Sequence, residues 1–362
     1  MSWTRKILRV DLGTGTCATE DLNMEWAQKY LGSRGLATKY FTEEVDAGVD
    51  PMSPENKLII ATGPLTATAA PTSGRWTAIC KGPLTGAIAC SNSGGFFGAE
   101  LKNAGWDMII FEGKSDGPVY LDIDNGDAEL KDASAMWGKS VWDTEDMLRE
   151  VRGDTYIRCA SIGQAGENGV LYAGIINDKD RAAGRSGVGA VMGAKNLKAI
   201  AVRGTQGVQV EDPKAFMKAV GSANQILADN AVTGEGLPTF GTQVLMNVIN
   251  ETGALPTRNA TEVQFEGAND ISAEAMAEPR ESDGKANLIS NGACFGCPIS
   301  CQRISQIDPE HFTVKGRPQY QIASGGLEYE AAWALGAATG VNDLDALTFC
   351  NFACNEYGMD PI

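Results

Sequence analysis

The sequence predicts an α+β chain, with a sheet-rich N-terminal part followed by a mainly α-helical part. Two observations carry this. Up to residue 204, short β-branched runs recur and are closed by glycine or by turn dipeptides. From Asp212-Pro213 onward the readable patterns are helical. No repeat of about 20–50 residues interrupts either part. The change of texture places a domain boundary near residue 208, giving a sheet-rich domain over 1–208 and a helical domain over 209–362.

Taken in order, Ile7 to Leu12 alternates and runs into the Gly13-Thr14-Gly15 turn. Leu58-Ile59-Ile60 and Met108 to Phe111 are short strands, each closed by a glycine. Val119 to Ile123 meets Asn125-Gly126, a two-residue hairpin signal that predicts a returning strand. Helical patterns lie at 25–31, 100–104 and 141–151, and a last strand runs from Leu197 to Val202. In the second part, Asp212 is an N-cap followed by proline at the first helical position, opening a helix to about Asp229. Further helices are predicted over 242–252, 272–279, 328–339 and 343–357, the last capped by Asn342 and stopped by Gly358. Only four residues follow that glycine. A helical part with so little to close upon predicts a truncated, incomplete domain.

Composition narrows the chemistry. The 362 residues carry a net charge of −16, with 43% hydrophobic and 21% charged residues, the profile of an ordinary globular protein. An acidic chain does not suit nucleic acid, whose phosphates need a basic surface. No run of about 18 apolar residues predicts a membrane span. The N-terminal MSWTRKILRV has neither an apolar signal core nor a twin-arginine pair, so the expected location is the cytoplasm, with reduced thiols. There is one histidine, His311, which excludes a zinc site built from several imidazoles and allows at most one Ser-His-Asp or Cys-His constellation.

Nine cysteines are present, and three of them cluster: Cys294-Phe-Gly-Cys297-Pro-Ile-Ser-Cys301. Thiolates two and three residues apart on a tight turn, here with Gly296 and Pro298, can converge on one face of an iron–sulfur cubane. Zinc would be one ligand short, with three thiolates and no nearby histidine. A cubane usually takes a fourth cysteine. Cys350 and Cys354, one helical turn apart, offer one, or are small core-facing residues; the alternative is a cysteine beyond residue 362.

A second dense segment is Asp180-Arg181-Ala182-Ala183-Gly184-Arg185-Ser186-Gly187-Val188-Gly189. Guanidinium forks and bare backbone N–H groups are what a bound phosphate requires. The helix-like stretch 190–197 would turn its N-terminus to the same anion. Neither a P-loop nor a Rossmann fingerprint is matched. Upstream, Arg75 precedes Ser91-Asn92-Ser93-Gly94-Gly95, where Asn92 can offer a carbonyl to a hard cation and Gly94 allows close backbone approach. One part of the chain therefore reads as the holder of a large anionic ligand, and the other as the holder of a redox cluster.

Together with Leu31-Gly32-Ser33-Arg34-Gly35, Gly63-Pro64-Leu65-Thr66 and Lys81-Gly82-Pro83-Leu84-Thr85-Gly86, these segments resemble, in order and along the entire chain, the aldehyde:ferredoxin oxidoreductase family. The resemblance implies a tungsten bis-pterin (tungstopterin) cofactor, magnesium bridging the pterin phosphates and a [4Fe–4S] cluster. It implies oxidation of aldehydes to carboxylic acids, with electrons leaving to ferredoxin or an electron-transfer subunit, in an oligomer. By the same resemblance Arg75, Asn92, Gly94, Arg181, Ala182, Gly184 and Arg185 hold the pterins, phosphates and magnesium, and Cys294, Cys297 and Cys301 are three cluster ligands. Glu330 matches the acidic residue beside the metal and is assigned as general acid/base, with Glu328 its rival on the same segment. Asn355-Glu356-Tyr357-Gly358-Met359-Asp360 stands where the family has D-x-x-G-L-D, with Asn355 for aspartate and Met359 for leucine. Phe349 occupies the expected glutamate position of an iron-bridged dimer motif, so that iron is not predicted. Two other readings stand beside this one: the tungsten subunit of a benzoyl-CoA reductase, and a non-catalytic iron–sulfur scaffold or inactive fragment.

Overall fold

A computed structural model describes residues 2–362. The chain forms two compact units: Met1–Val220 with Asn355–Asp360, and Gly221–Cys354 with Pro361–Ile362.

The first unit is built on two six-stranded sheets. The first contains β1 (Lys6–Asp11), β2 (Thr16–Asp21), β3 (Leu58–Thr62), β4 (Trp76–Lys81), β5 (Ile88–Ser93) and β6 (Met108–Glu112), in the spatial order β2-β1-β6-β3-β4-β5. The second contains β7 (Val119–Asp124), β8 (Asp127–Asp132), β9 (Arg158–Ser161), β10 (Ile175–Asn177), β11 (Arg181–Ala183) and β12 (Leu197–Arg203), in the order β11-β10-β9-β12-β7-β8. One pair in each sheet is parallel, β1 with β6 and β12 with β7, and the remaining pairs are antiparallel.

The two-residue period of a strand sends alternate side chains to opposite faces, and here both faces are covered. Leu8, Val10, Leu58, Ile60, Trp76, Ile109 and Phe111 of the first sheet share one core with Leu121, Ile123, Ala160, Ile200 and Val202 of the second. The outer face of the first sheet, Ile7, Ile59, Ile79 and Ile110, is covered by Leu36, Ala37, Tyr40 and Phe41 of the helix Ser33–Glu44. The outer face of the second, Tyr120, Cys159, Ala199 and Ala201, is covered by Leu148 of the helix Val141–Arg152. The layers run helix, sheet, sheet, helix.

The second unit is mainly helical, around Met246, Leu255, Phe265, Ile271, Met276, Leu327, Ala332 and Leu347. The stretch expected as one helix over 242–252 begins as the 3-10 turn Gly241–Val244 and continues as the α-helix Leu245–Glu251. The stretch over 328–339 is one α-helical turn, Tyr329–Ala332, followed by the wider π-turn Trp333–Ala337. The helix Leu344–Tyr357 is capped by Asp343, whose Oδ1 accepts from the Ala346 N–H at 2.9 Å. That corrects the expected cap at Asn342, whose side-chain amide instead donates to Asp270 at 2.6 Å. A three-stranded antiparallel sheet, β13 (Leu288–Gly292), β14 (Gln302–Ser305) and β15 (Ser324–Gly325), was not expected from sequence. Its strands are only two to five residues long. Among the described residues, no helix is long and apolar enough to cross a membrane.

Candidate functional site

In the first unit, β4 and β5 pair antiparallel with Trp76 opposite Ser93. Arg75 stands just before β4 and donates from Nη1 to the Asn92 Oδ1 of β5 at 2.8 Å, and both side chains are exposed. Beyond β5 the chain turns at Gly95, whose φ is +78°. A Cβ there would run into the side chains of Asn177 and Asp178 and come within 3.2 Å of Arg181 Cγ, so only glycine fits the turn. Strand β5 also packs against β11 and against the short turn Arg185–Gly187. The fold therefore gathers Arg75, Asn92 and Gly94 with Arg181, Ala182, Gly184 and Arg185, which sequence places about 90 residues apart.

The helix after this segment is Val188–Ala194, starting two residues earlier than its pattern indicated. Its Gly189 N–H donates to the Ala173 carbonyl at 2.9 Å rather than standing free at the helix start. Gly189 lies so close to Gly174 that a Cβ would come within 2.7 Å of the Gly174 carbonyl carbon. At the expected anion-facing helix end, the Gly189 N–H is therefore taken up by the carbonyl of Ala173.

Asn177 and Asp178 lock this loop, and sequence reasoning passed over both. The Asn177 Oδ1 accepts from Ser93 Oγ at 2.7 Å and from Trp76 Nε1 at 3.3 Å, while its Nδ2 donates to the Gly94 carbonyl at 3.1 Å. The Asp178 Oδ2 accepts from the Phe96 N–H at 2.7 Å. Asp178 and Lys179 both adopt positive φ, 50° and 64°, a strained pair held by these contacts. No motif marks them; two ordinary polar residues at the end of a short buried strand carry no readable signal.

Behind the loop, Glu145 of the helix Val141–Arg152 accepts from the Lys179 N–H at 3.0 Å and pairs with Arg149 at 2.5 Å. Burial pushes its carboxyl up from 4.5 to about 7, against the opposing pull of Arg149. The folded state thus binds a proton that the unfolded chain has lost between about pH 4.5 and 7. The stability this group contributes is present at low pH and lost as pH rises through that window. Glu145→Gln should remove the dependence. Relative to the parent, the variant gains on the order of 2 kcal/mol between pH 5 and pH 8 in urea unfolding. Parallel pH profiles for the two proteins would contradict this.

The segment 355–360 belongs to the same unit. Met359 bridges antiparallel to Ala173, the Gly174 N–H donates to the Gly358 carbonyl at 2.9 Å, and the Asp360 N–H donates to the Tyr172 carbonyl at 3.1 Å. The Asp360 carboxylate meets Arg185 Nε at 3.0 Å. Its side chain is 9% exposed against 60% for Arg185, so the carboxylate fixes the root of a guanidinium whose other nitrogens reach outward. Asn355 is buried at the start of the segment.

In the second unit, Cys294, Cys297 and Cys301 lie in the connection between β13 and β14, tethered where Gly292 pairs with Gln302. The Cys297 N–H donates to the Cys294 carbonyl at 3.1 Å, and Gly296 takes φ +62° to close that turn. All three thiols are half-buried, as are Cys350 and Cys354. Among the described residues, no three or more His, Cys, Asp or Glu side chains are gathered into a group able to hold a metal ion. The loop presents the right donors on a short, tethered turn without closing them into a ligand set.

Glu330 is exposed in the first turn of the helix Tyr329–Ala332. Glu328, its rival, is half-buried just before that helix and accepts from Thr242 Oγ1. Nearby Arg303 of β14 is fully buried, donating from Nη1 to the Thr239 carbonyl at 2.8 Å and to Asn291 Oδ1 at 2.9 Å. Burial lowers its pKa, and the Glu328 carboxylate acts in the opposite direction. His311 pairs with Asp343 at 3.1 Å and with Thr313 at 2.7 Å, away from these residues in the sequence and bonded as an ordinary loop side chain.

Comparison with known proteins finds relatives along the whole chain. A tungsten-containing aldehyde ferredoxin oxidoreductase of Pyrococcus abyssi is 51% identical over 357 residues, and one of Thermococcus kodakarensis is 47% identical over 361. Each alignment takes in 99–100% of this chain, which spans 56% of the length of those relatives. Among solved structures, a chain of the active-site complex of benzoyl-coenzyme A reductase, determined with 1,5-dienoyl-CoA, superposes with a TM-score of 0.84 at 29% identity. The superposition covers all of this chain and 54% of that one. Residues 7–204 match the family model for the aldehyde ferredoxin oxidoreductase N-terminal domain, and 218–362 match the model for its domains 2 and 3. With both halves matched in order, this chain belongs to the aldehyde ferredoxin oxidoreductase family.

Proposed function

We propose that the protein oxidises aldehydes to carboxylic acids, using a tungsten bis-pterin cofactor in the first unit and a [4Fe–4S] cluster in the second, and passes electrons to ferredoxin or a partner subunit. The observation that carries this is identity of 47–51% along the entire chain to tungsten-containing aldehyde ferredoxin oxidoreductases, against 29% to the benzoyl-coenzyme A reductase chain.

The residues of the first unit fit such a group. Exposed Arg75 and Arg185, half-buried Arg181 and a side-chain-free turn at Gly94-Gly95 suit a large ligand bearing phosphates. Arg75, Arg181 and Arg185 would hold the phosphates, and Asn92 would turn its carbonyl from Arg75 to the bridging magnesium. Gly94, Ala182 and Gly184 would offer backbone groups. Asn355, Met359 and Asp360 would take the second side of the pterin pair, with Asp360 steadying Arg185. When bound, the tungsten group supplies a two-electron acceptor. Aldehyde and water together give a carboxylic acid, two protons and two electrons, and Glu330 would take up and release a proton in that exchange. Cys294, Cys297 and Cys301 supply three of the four thiolates a cubane usually takes.

Metal analysis combined with aldehyde-dependent reduction of a viologen dye tests this reading. The expected result is tungsten together with activity on aldehydes, and absence of both would overturn it. Tungsten without aldehyde activity would turn the reading towards the benzoyl-coenzyme A reductase class. Iron without tungsten would turn it towards an iron–sulfur scaffold.

A further inference from the structure

We infer that Arg303 sets the electron affinity of the group held by the Cys294–Cys301 loop, as a positioning residue that acts through its charge. Its guanidinium is 0% exposed, and among the described residues only Nη1 is bonded; Nε and Nη2 are buried with no hydrogen-bond partner there. A buried cation with two idle donor nitrogens is costly, and folded proteins seldom leave such groups unmatched. Ser305, two residues on, adds a third buried idle atom, its Oγ. Arg303 and Ser305 are the two buried positions of β14, so the two-residue period puts them on one face. A buried guanidinium bonded only to neutral acceptors leaves its charge to act on an anion nearby.

The position of Arg303 says which anion. It follows Cys301 by two residues, on the strand that receives the cysteine loop. Gly241 lies against both: a Cβ there would meet Arg303 Cδ at 2.5 Å and the Cys301 carbonyl at 2.8 Å. No side chain at 241 can separate the arginine from the end of the loop. Gly326 closes on the same face, where a Cβ would lie 3.0 Å from Arg303 Cβ. An iron–sulfur cluster on thiolates is anionic and rich in sulfur acceptors, and its potential follows net charge and hydrogen bonds to its sulfurs. A fixed cation beside it favours the reduced, more negative state. Glu328 opposes that effect, since its carboxylate interacts electrostatically with Arg303.

This inference rests on the cluster reading of the cysteine loop, and the test separates the two. The chain is purified anaerobically, iron and labile sulfide are measured, and the cluster is titrated by electron paramagnetic resonance. At the parent's midpoint potential, Arg303→Met should shift the ratio of oxidised to reduced cluster about tenfold toward oxidised, equivalent to about 59 mV for one electron. Arg303→Lys should stay within about twofold of the parent, since it keeps the charge, and Glu328→Gln should shift the ratio toward reduced. A parent without a cluster overturns the cluster reading and this inference with it. A parent with a cluster, and an Arg303→Met ratio within twofold of it, overturns the inference alone, as does a lysine variant that shifts as far as the methionine one. If Arg303→Met does not fold or holds no iron, Glu328→Gln decides: a shift toward reduced supports the inference, and an unchanged ratio overturns it.

Discussion

Replacing Glu167 by alanine should cost the first unit about 3–5 kcal/mol of stability, because it breaks a buried ion pair. Lys198 of β12 is 0% exposed, and its Nζ meets Glu167 Oε1 at 2.5 Å and the Lys139 carbonyl at 2.9 Å. The other carboxylate oxygen, Oε2, accepts from the Gly138 N–H at 2.8 Å. Removing the carboxylate leaves a buried ammonium with one neutral acceptor and frees a backbone donor. Burial already lowers the Lys198 pKa, against the pull of Glu167, so the lysine has little solvation to fall back on. The double variant Glu167→Met with Lys198→Met should recover most of the loss, because two apolar side chains leave no charge to neutralise. Urea denaturation midpoints check both statements. A Glu167→Ala protein within 1 kcal/mol of the parent would show that the pair contributes little.

The second large effect is on metal content. Cys297→Ala should lower bound iron and labile sulfide at least about tenfold while leaving circular dichroism and the urea midpoint close to the parent. The thiol sits mid-loop between β13 and β14 and is half-buried, so its removal leaves no large cavity. The turn it belongs to is held by backbone, through the Cys297 N–H on the Cys294 carbonyl and the left-handed Gly296, and alanine preserves both. Folding and ligation are therefore separable at this position. Zinc in the parent, in place of iron and sulfide, would contradict the expectation, as would a variant that keeps its full iron content.

How much of this was legible in the sequence depends on how many faces of an element are covered. The β7–β8 hairpin could be read because Asn125-Gly126 is a turn signal in itself, and Asp212 could be read because a cap before proline is local chemistry; its Oδ1 accepts from the Ala215 N–H at 2.9 Å. Strand β4, WTAICK, was missed because it is buried on both sides, so its pattern has no polar alternation. The helix Ser33–Glu44 was missed because glycine, threonine and charge are spread around it and leave only a blurred apolar stripe. The last helix was assigned to the wrong cap since Asn342 and Asp343 are equally good caps, and Asn342 is claimed by Asp270, a residue 72 positions away.

The site divides in the same way. Arginines and glycines crowded into ten residues suggest an anion, and three cysteines in eight suggest a metal; both remain proposals. The Asn177–Asp178 lock and the buried Arg303 carry no sequence signal, because each gets its meaning from residues far along the chain. For Asp178 these are Phe96 and Arg158, and for Arg303 they are Thr239 and Asn291.

The return of residues 355–360 to the first unit has a consequence for synthesis. The body of that unit is complete at Val220, yet its last strand-like segment is about 135 residues further on. At the usual ribosomal rate of about 5–20 residues per second, the sheets wait some 7–27 s before Met359 can reach Ala173. Through that interval the edge near Ala173 is uncovered and Arg185 has no Asp360 beside it. The nascent first unit thus has a defined period of exposure to aggregation, and any anion that settles early against Arg185 does so without its carboxylate neighbour.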